Sequence, residues 1–159
     1  MSKYDWLLFL HVTGAFLLVG GTVSAGAFTI MSRLRERPSE VATLLGLVRY
    51  ALPFIYGGVI LTLVFGLWLV HAAGQGYSFG DAWVVAALVL WVVASALGGA
   101  GGAREAKKQE LATRLAAAGD TPSDELRAEL REPVSLALNF GSGLVVLAVL
   151  AMMIWKPGS

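Results

Sequence analysis

Two histidines are the obvious chemical residues in this 159-residue chain: His11 in "LLFLHVTGAF" and His71 in "LWLVHAAG". Both lie in long apolar runs, where polar groups are costly and are therefore functional candidates by default. Neutral imidazole is the usual axial ligand of a membrane b-type haem, and two facing helices can supply two of them. From the helical rise, His11 lies about 10–12 Å from the outer boundary marked by Lys3, and His71 about 6 Å from the one marked by Gln75. Both fall in the same half of the membrane, at similar but not identical depth.

A porphyrin between helices needs small residues beside its ligand. Helical offsets put Gly14, Ala15, Leu18, Gly21, Thr22 and Ala25 on the His11 face. Such a stripe could admit a flat ring. It equally lets helices pack closely, as in Gly20-xxx-Ser24 and Gly21-xxx-Ala25. Trp91, near the middle of a third run, needs a partner for its indole N–H or faces a cofactor edge. Candidate cofactor-binding residues are thus His11, His71, Gly14 and Trp91, with the two histidines as metal ligands. The competing reading makes His11 a hydrogen bond to a neighbouring helix and His71 a half-solvated interfacial residue. Asn139 could join helices through its amide. No catalytic residue is assigned.

Other chemistries lack their residues. The chain has no cysteine, so disulfides, thiolate metal sites and covalent c-type haem are excluded. No carboxylate pair lies in an apolar run, which leaves a proton relay or hard-cation site unsupported and disfavours a small-molecule or metal permease. Copper handling calls for clusters of Met and His, yet Met31, Met152 and Met153 are remote from His11 in sequence. "GGAGG", residues 98–102, lacks the Lys and Ser/Thr of a phosphate loop and reads as a flexible or closely packed exit from a span. A net charge of +1 gives no sign of a nucleic-acid partner.

The elements that must hold these residues are membrane spans. Hydrophobic residues make up 57% of the chain and charged ones 14%, against about 25% in soluble domains. Four runs without Asp, Glu, Lys or Arg are long enough to cross a bilayer: about 6–31, 52–73, 83–100 and 134–155. Their continuous rather than alternating character predicts helices, not a barrel. The first run exceeds a signal peptide's apolar core, and its basic cluster follows rather than precedes it, so an uncleaved span is expected. Ten of the twelve Lys and Arg lie in the first and third connections. The positive-inside rule then places those loops in the cytoplasm and both termini outside, in a bacterial inner membrane. Tyr4, Trp6, Trp68, Tyr77, Trp83 and Trp155 would form the outer aromatic belt, while Arg49 and Arg131 would anchor the inner surface.

The third connection, 103–132, is expected to be a solvated helical hairpin. Its first arm extends the third span and stops at Gly119; the second starts with Thr121 as N-cap and Pro122 at the first helical position. A docking role for this charged segment is the less favoured reading. The expected fold is all-α: one transmembrane domain over residues 1–159, an antiparallel four-helix bundle with both termini outside.

"YDWLLFLHVTGAFLLVGG" at the N-terminus, "FGLWLV" at 65–70 and "VLAMMIWKPG" at the C-terminus resemble an uncharacterised bacterial family of four-helix predicted integral membrane proteins. That family is distantly similar to the HemJ-type membrane protoporphyrinogen oxidases and to CopD-type membrane domains. The resemblance implies that His11 stands where the HemJ-type family places a haem-binding histidine. Asn139 has a similar spacing to the closing Lys156 and Pro157, but Phe140 and Gly141 stand where that family has an acid and its neighbour. The resemblance therefore extends to the haem ligand and not to the oxidase reaction. Three functions follow as expectations: a haem b-binding membrane protein, a non-catalytic subunit packing against itself or another membrane protein, and, least favoured, a permease.

Overall fold

The computed structural model describes residues 2–72 and 78–157, and among them every regular element is an α-helix. The order is α1 (Lys3–Arg33), α2 (Pro38–Ala72), α3 (Ala82–Ala117), α4 (Asp124–Arg131) and α5 (Pro133–Trp155). Four of them, α1, α2, α3 and α5, are long and apolar enough to cross a membrane. In hydrocarbon a helix satisfies its backbone internally, so these runs have no other regular form open to them.

The ends of the helices are written in side chains. Ser2 and Asp5 close a capping box on α1, with Asp5 N–H donating to Ser2 Oγ at 3.2 Å and Ser2 N–H donating to Asp5 Oδ2 at 2.7 Å. A tight turn at 34–37 separates α1 from Pro38, whose lost N–H costs nothing at the first helical position. Consequently α2 begins fourteen residues before the apolar run at 52 and absorbs most of the expected first connection. Gly119, at φ +134°, and Asp120, at φ 53°, reverse the chain after α3. The second arm opens on Ser123 as N-cap rather than Thr121, because the helix starts at Asp124, past Pro122. Lys156 ends α5 in the left-handed conformation.

The spans pack as two pairs. α1 lies against α2 and α3 against α5, with α2 also meeting α3. Glycines set the first seam. A Cβ on Gly14 would stand 2.7 Å from the Thr62 nitrogen, and one on Gly58 would stand 2.7 Å from the Gly14 carbonyl oxygen. Contacts of that kind with backbone admit only glycine. In the second pair, Ser142 Oγ donates to the Ala94 carbonyl at 2.9 Å. α3 runs unbroken through "GGAGG", whose Gly98 and Gly101 are where Ser142 and Asn139 approach.

The hairpin is not simply solvated. Leu126 and Leu130 of α4 join Val41 and Leu45 of α2 and Ala112 of α3 in a small apolar core outside the apolar runs. Asp120 ties the hairpin tip to the start of α2, accepting from Ser39 N–H and Ser39 Oγ–H at 2.7 Å each. These two bonds hold the Asp120 carboxyl below its usual range. Within the expected aromatic belt, Tyr4, Trp6, Trp68 and Trp155 are exposed. Trp83 is buried instead, with Lys156 Nζ 5.7 Å from its ring centre; Tyr77 lies outside the described residues.

Candidate functional site

His11 is fixed by α2. Its Nδ1–H donates to the Thr62 carbonyl at 2.9 Å. A carbonyl can only accept, so the proton sits on Nδ1 and the neutral Nε2 carries the lone pair. Gly66, one turn beyond Thr62, makes room for the ring: a Cβ there would lie 2.9 Å from Cε1 and 3.0 Å from Nδ1. The imidazole is half-buried, and Nε2 makes no hydrogen bond among the described residues.

The other candidates divide. Gly14 faces the α2 backbone at Thr62, so the small stripe of α1 serves helix packing on its Gly14–Gly21 side. Its other side, with Ala15 and Leu18, lines a cavity of about 30 Å³ shared with Thr62 of α2, Trp91 of α3, and Val149 and Met153 of α5. Trp91 thus belongs to the bundle interior. His71 does not converge with His11. It lies five residues beyond Gly66, about 7.5 Å farther along α2 and turned by about 140°, and it is exposed. Among the described residues no three His, Asp or Glu side chains gather as a metal site.

A second polar site lies where α1 ends. Lys108 and Glu105 of α3 are buried, at 2% and 6% exposure, and Ser135 of α5 is fully buried. Arg33 Nη2 donates to Ser135 Oγ at 2.8 Å and to Glu105 Oε1 at 3.3 Å. Lys108 Nζ donates to Ser135 Oγ at 2.6 Å and pairs with Glu105 at 3.4 Å and Glu132 at 3.6 Å. Arg33 Nη1 also donates to the carbonyls of Leu130 and Glu132, and Arg104 pairs with Glu132 at 2.5 Å. The cluster joins α1, α3, α4 and α5 at one point. Sequence reasoning placed Glu105 and Lys108 on a solvated face. The available signal was Ser135, a small hydroxyl two residues into α5, together with the i, i+4 pair Leu126 and Leu130 that gives the hairpin an apolar side.

Asn139 and Arg49 have modest roles. Asn139 rests against Gly101, whose missing Cβ leaves space for the amide. Arg49 lies over the Tyr50 ring, 4.8 Å from its centre, and donates to the Tyr50 hydroxyl at 2.8 Å, consistent with an interfacial anchor.

Comparison with known proteins adds the family. Residues 5–157 match the family described as predicted integral membrane protein (DUF2269). The match covers nearly the whole chain, and the protein belongs to that family. No curated protein matches the chain, and no solved structure does.

Proposed function

We propose that this integral membrane protein binds haem b, which Nε2 of His11 would hold. One observation carries the reading: the Nδ1–H···O=C bond to Thr62. Metal-ligating histidines characteristically donate their other ring nitrogen to a carbonyl or carboxylate, which fixes the tautomer and raises the basicity of the ligating atom. His11 therefore has the donor chemistry of an axial ligand in apolar surroundings. The exposed His71, turned away along α2, argues for one protein ligand rather than two.

Space gives the location. Ligand pockets have volumes of about 300–1,000 Å³, far above the roughly 30 Å³ of the interior cavity. The half-buried His11 ring offers a ligand from the edge of the bundle, not from that cavity. Bound there, a haem would supply one-electron chemistry, while this chain holds it and keeps His11 neutral. The basic residues of the first and third connections support a topology with the hairpin on the cytoplasmic side of a bacterial inner membrane and both termini outside.

A second reading is a non-catalytic subunit that packs against a copy of itself or another membrane protein. It draws on α3, where Ser95, Gly99 and Ala103 form an exposed small-residue stripe and a Cβ on Gly99 would meet nothing within 4 Å. Small stripes of this spacing let transmembrane helices associate.

The test is a visible spectrum of the detergent-purified protein reconstituted with haem, before and after dithionite. The expected result is a Soret band that His11→Ala abolishes and His71→Ala leaves in place. Protein that stays colourless after reconstitution overturns the haem reading, and a stoichiometric co-purifying membrane protein would favour the second. A reduced spectrum that becomes five-coordinate in His71→Ala would make His71 the second ligand.

A further inference from the structure

We infer that the cleft between the α1–α2 turn and α4 binds the headgroup of a zwitterionic phospholipid with a primary amine, a phosphoethanolamine lipid. Glu36 of the turn and Asp124, Arg127, Ala128 and Arg131 of α4 line an open space of about 520 Å³. That volume is within the range of ligand pockets, about 300–1,000 Å³.

The walls are fixed. Residues 124, 127, 128 and 131 follow an i, i+3, i+4, i+7 pattern and so form one stripe of α4. A different side of that helix, Leu126 and Leu130, is buried against Val41, Leu45 and Ala112. Arg33, the last residue of α1, donates to the carbonyls of Leu130 and Glu132 on either side of Arg131. The turn that carries Glu36 is therefore tied to the end of α4.

Charge identifies the guest. Arg127 and Asp124 pair at 2.9 Å. Arg131 and Glu36 are both exposed, and neither side chain has a hydrogen bond or ion pair among the described residues. Two cations and two carboxylates cancel, so the cleft suits a neutral zwitterion better than an anion. The Arg131 guanidinium can hold a phosphate through two parallel N–H···O bonds. The Glu36 carboxylate can accept from a primary ammonium, which like that of lysine has three N–H donors. A choline headgroup has no N–H to donate, and a glycerol headgroup has no positive charge.

Position identifies the source as lipid. Arg131 stands two residues before α5 and Glu36 three after α1, and both helices are long and apolar enough to cross a membrane. The cleft therefore opens near the membrane surface, where basic pockets beside spans meet headgroups. Leu34 and Val134, exposed at the ends of the same two helices, offer apolar surface to acyl chains.

The experiment is native mass spectrometry of the full-length protein released from detergent, with phosphatidylethanolamine, phosphatidylcholine and phosphatidylglycerol of identical acyl chains. One ethanolamine lipid should be retained with about fivefold preference over the other two, the upper range for one exposed charged pair. Arg131→Gln should weaken its retention. Glu36→Gln should erase the preference for ethanolamine over glycerol. Neither side chain has a bonded partner, so both variants are expected to fold. Equal retention of the three lipids by the wild type, or a preference for the glycerol lipid, overturns the proposal. A preference unchanged in both variants puts the lipid elsewhere and overturns the cleft. Soluble glycerophosphoethanolamine, the same headgroup without chains, should not displace the lipid at equal concentration; displacement would make the ligand a free phosphate ester and overturn the lipid assignment.

Discussion

The charged cluster at the hairpin end and the His11 region within the spans handle buried polarity in opposite ways. At the cluster, Arg33 of α1, Glu105 and Lys108 of α3, Ser135 of α5 and Glu132 at the α4–α5 junction answer one another. Lys108 Nζ donates to Ser135 and Glu105 and pairs with Glu132, and among the buried side-chain atoms of the cluster only Arg33 Nε and Glu105 Oε2 are left over. Around the cavity, Thr62 Oγ1 and Trp91 Nε1 have no protein partner, and His11 Nε2 is likewise unengaged. Each region leaves two buried polar atoms without a partner, but the charges of the cluster are tied to one another between helices, whereas the polar groups within the spans stand singly. The more heavily charged site is therefore the structural one, and the sparsely polar site is the candidate for binding.

Breaking the charged network should have the largest effect. Lys108→Ala leaves Glu105 buried among fewer cations and is expected to destabilise the fold by about 3–5 kcal/mol, read as a lowered thermal unfolding midpoint in detergent by circular dichroism. A loss below about 1 kcal/mol, the range of exposed pairs, would show that the cluster is solvated and the contrast false. The glycine seam comes next. Gly58→Ala sets a methyl against the backbone of α1 and should cost about 1–3 kcal/mol through overpacking, measured the same way.

His11→Leu removes a single interhelical hydrogen bond. Such bonds average about 0.6 kcal/mol in a membrane protein, so stability should fall only slightly. The same variant should nevertheless abolish haem binding in the spectroscopic titration. That split, small in stability and complete in binding, is the sharpest expression of the difference between the two regions.

The smallest effect belongs to Asp120→Asn. The folded carboxyl lies below its ordinary value of 3.8 because it accepts from Ser39. A depressed carboxyl stabilises above its unfolded value and loses that contribution as pH falls through the folded one. Wild type should therefore melt slightly higher than Asp120→Asn at neutral pH, with the gap closing below about pH 4 as Asp120 protonates. A gap independent of pH would assign the effect to shape rather than charge.

The spans were legible because hydrocarbon leaves an apolar run few structural options, and helical phase put His11 on a face of small residues. The partner of His11 was not legible. Nothing in "VILTLVFG" marks the Thr62 carbonyl as its acceptor, since every residue has one, and Gly66 acquires meaning only when α1 lies across it. The small stripe was visible, but its division between a seam and a cavity depends on where two other helices stand. Burial of Lys108 was hidden for a different reason. Alternating charges on a helix read the same whether they face water or one another, and only the third partner, Ser135, distinguishes the cases.

The length of α3 has a mechanical consequence. Its 36 residues extend about 54 Å, against a hydrocarbon thickness of about 30 Å, with no break at its glycines. One rigid rod thus carries Trp91 at the cavity, Gly101 opposite Asn139, Lys108 in the cluster and Ala112 in the hairpin core. A tilt of α3 that opened space beside Trp91 would swing its far end through a larger arc, straining the clasp to Arg33 and Ser135. The membrane interior and the hairpin are the two arms of one lever.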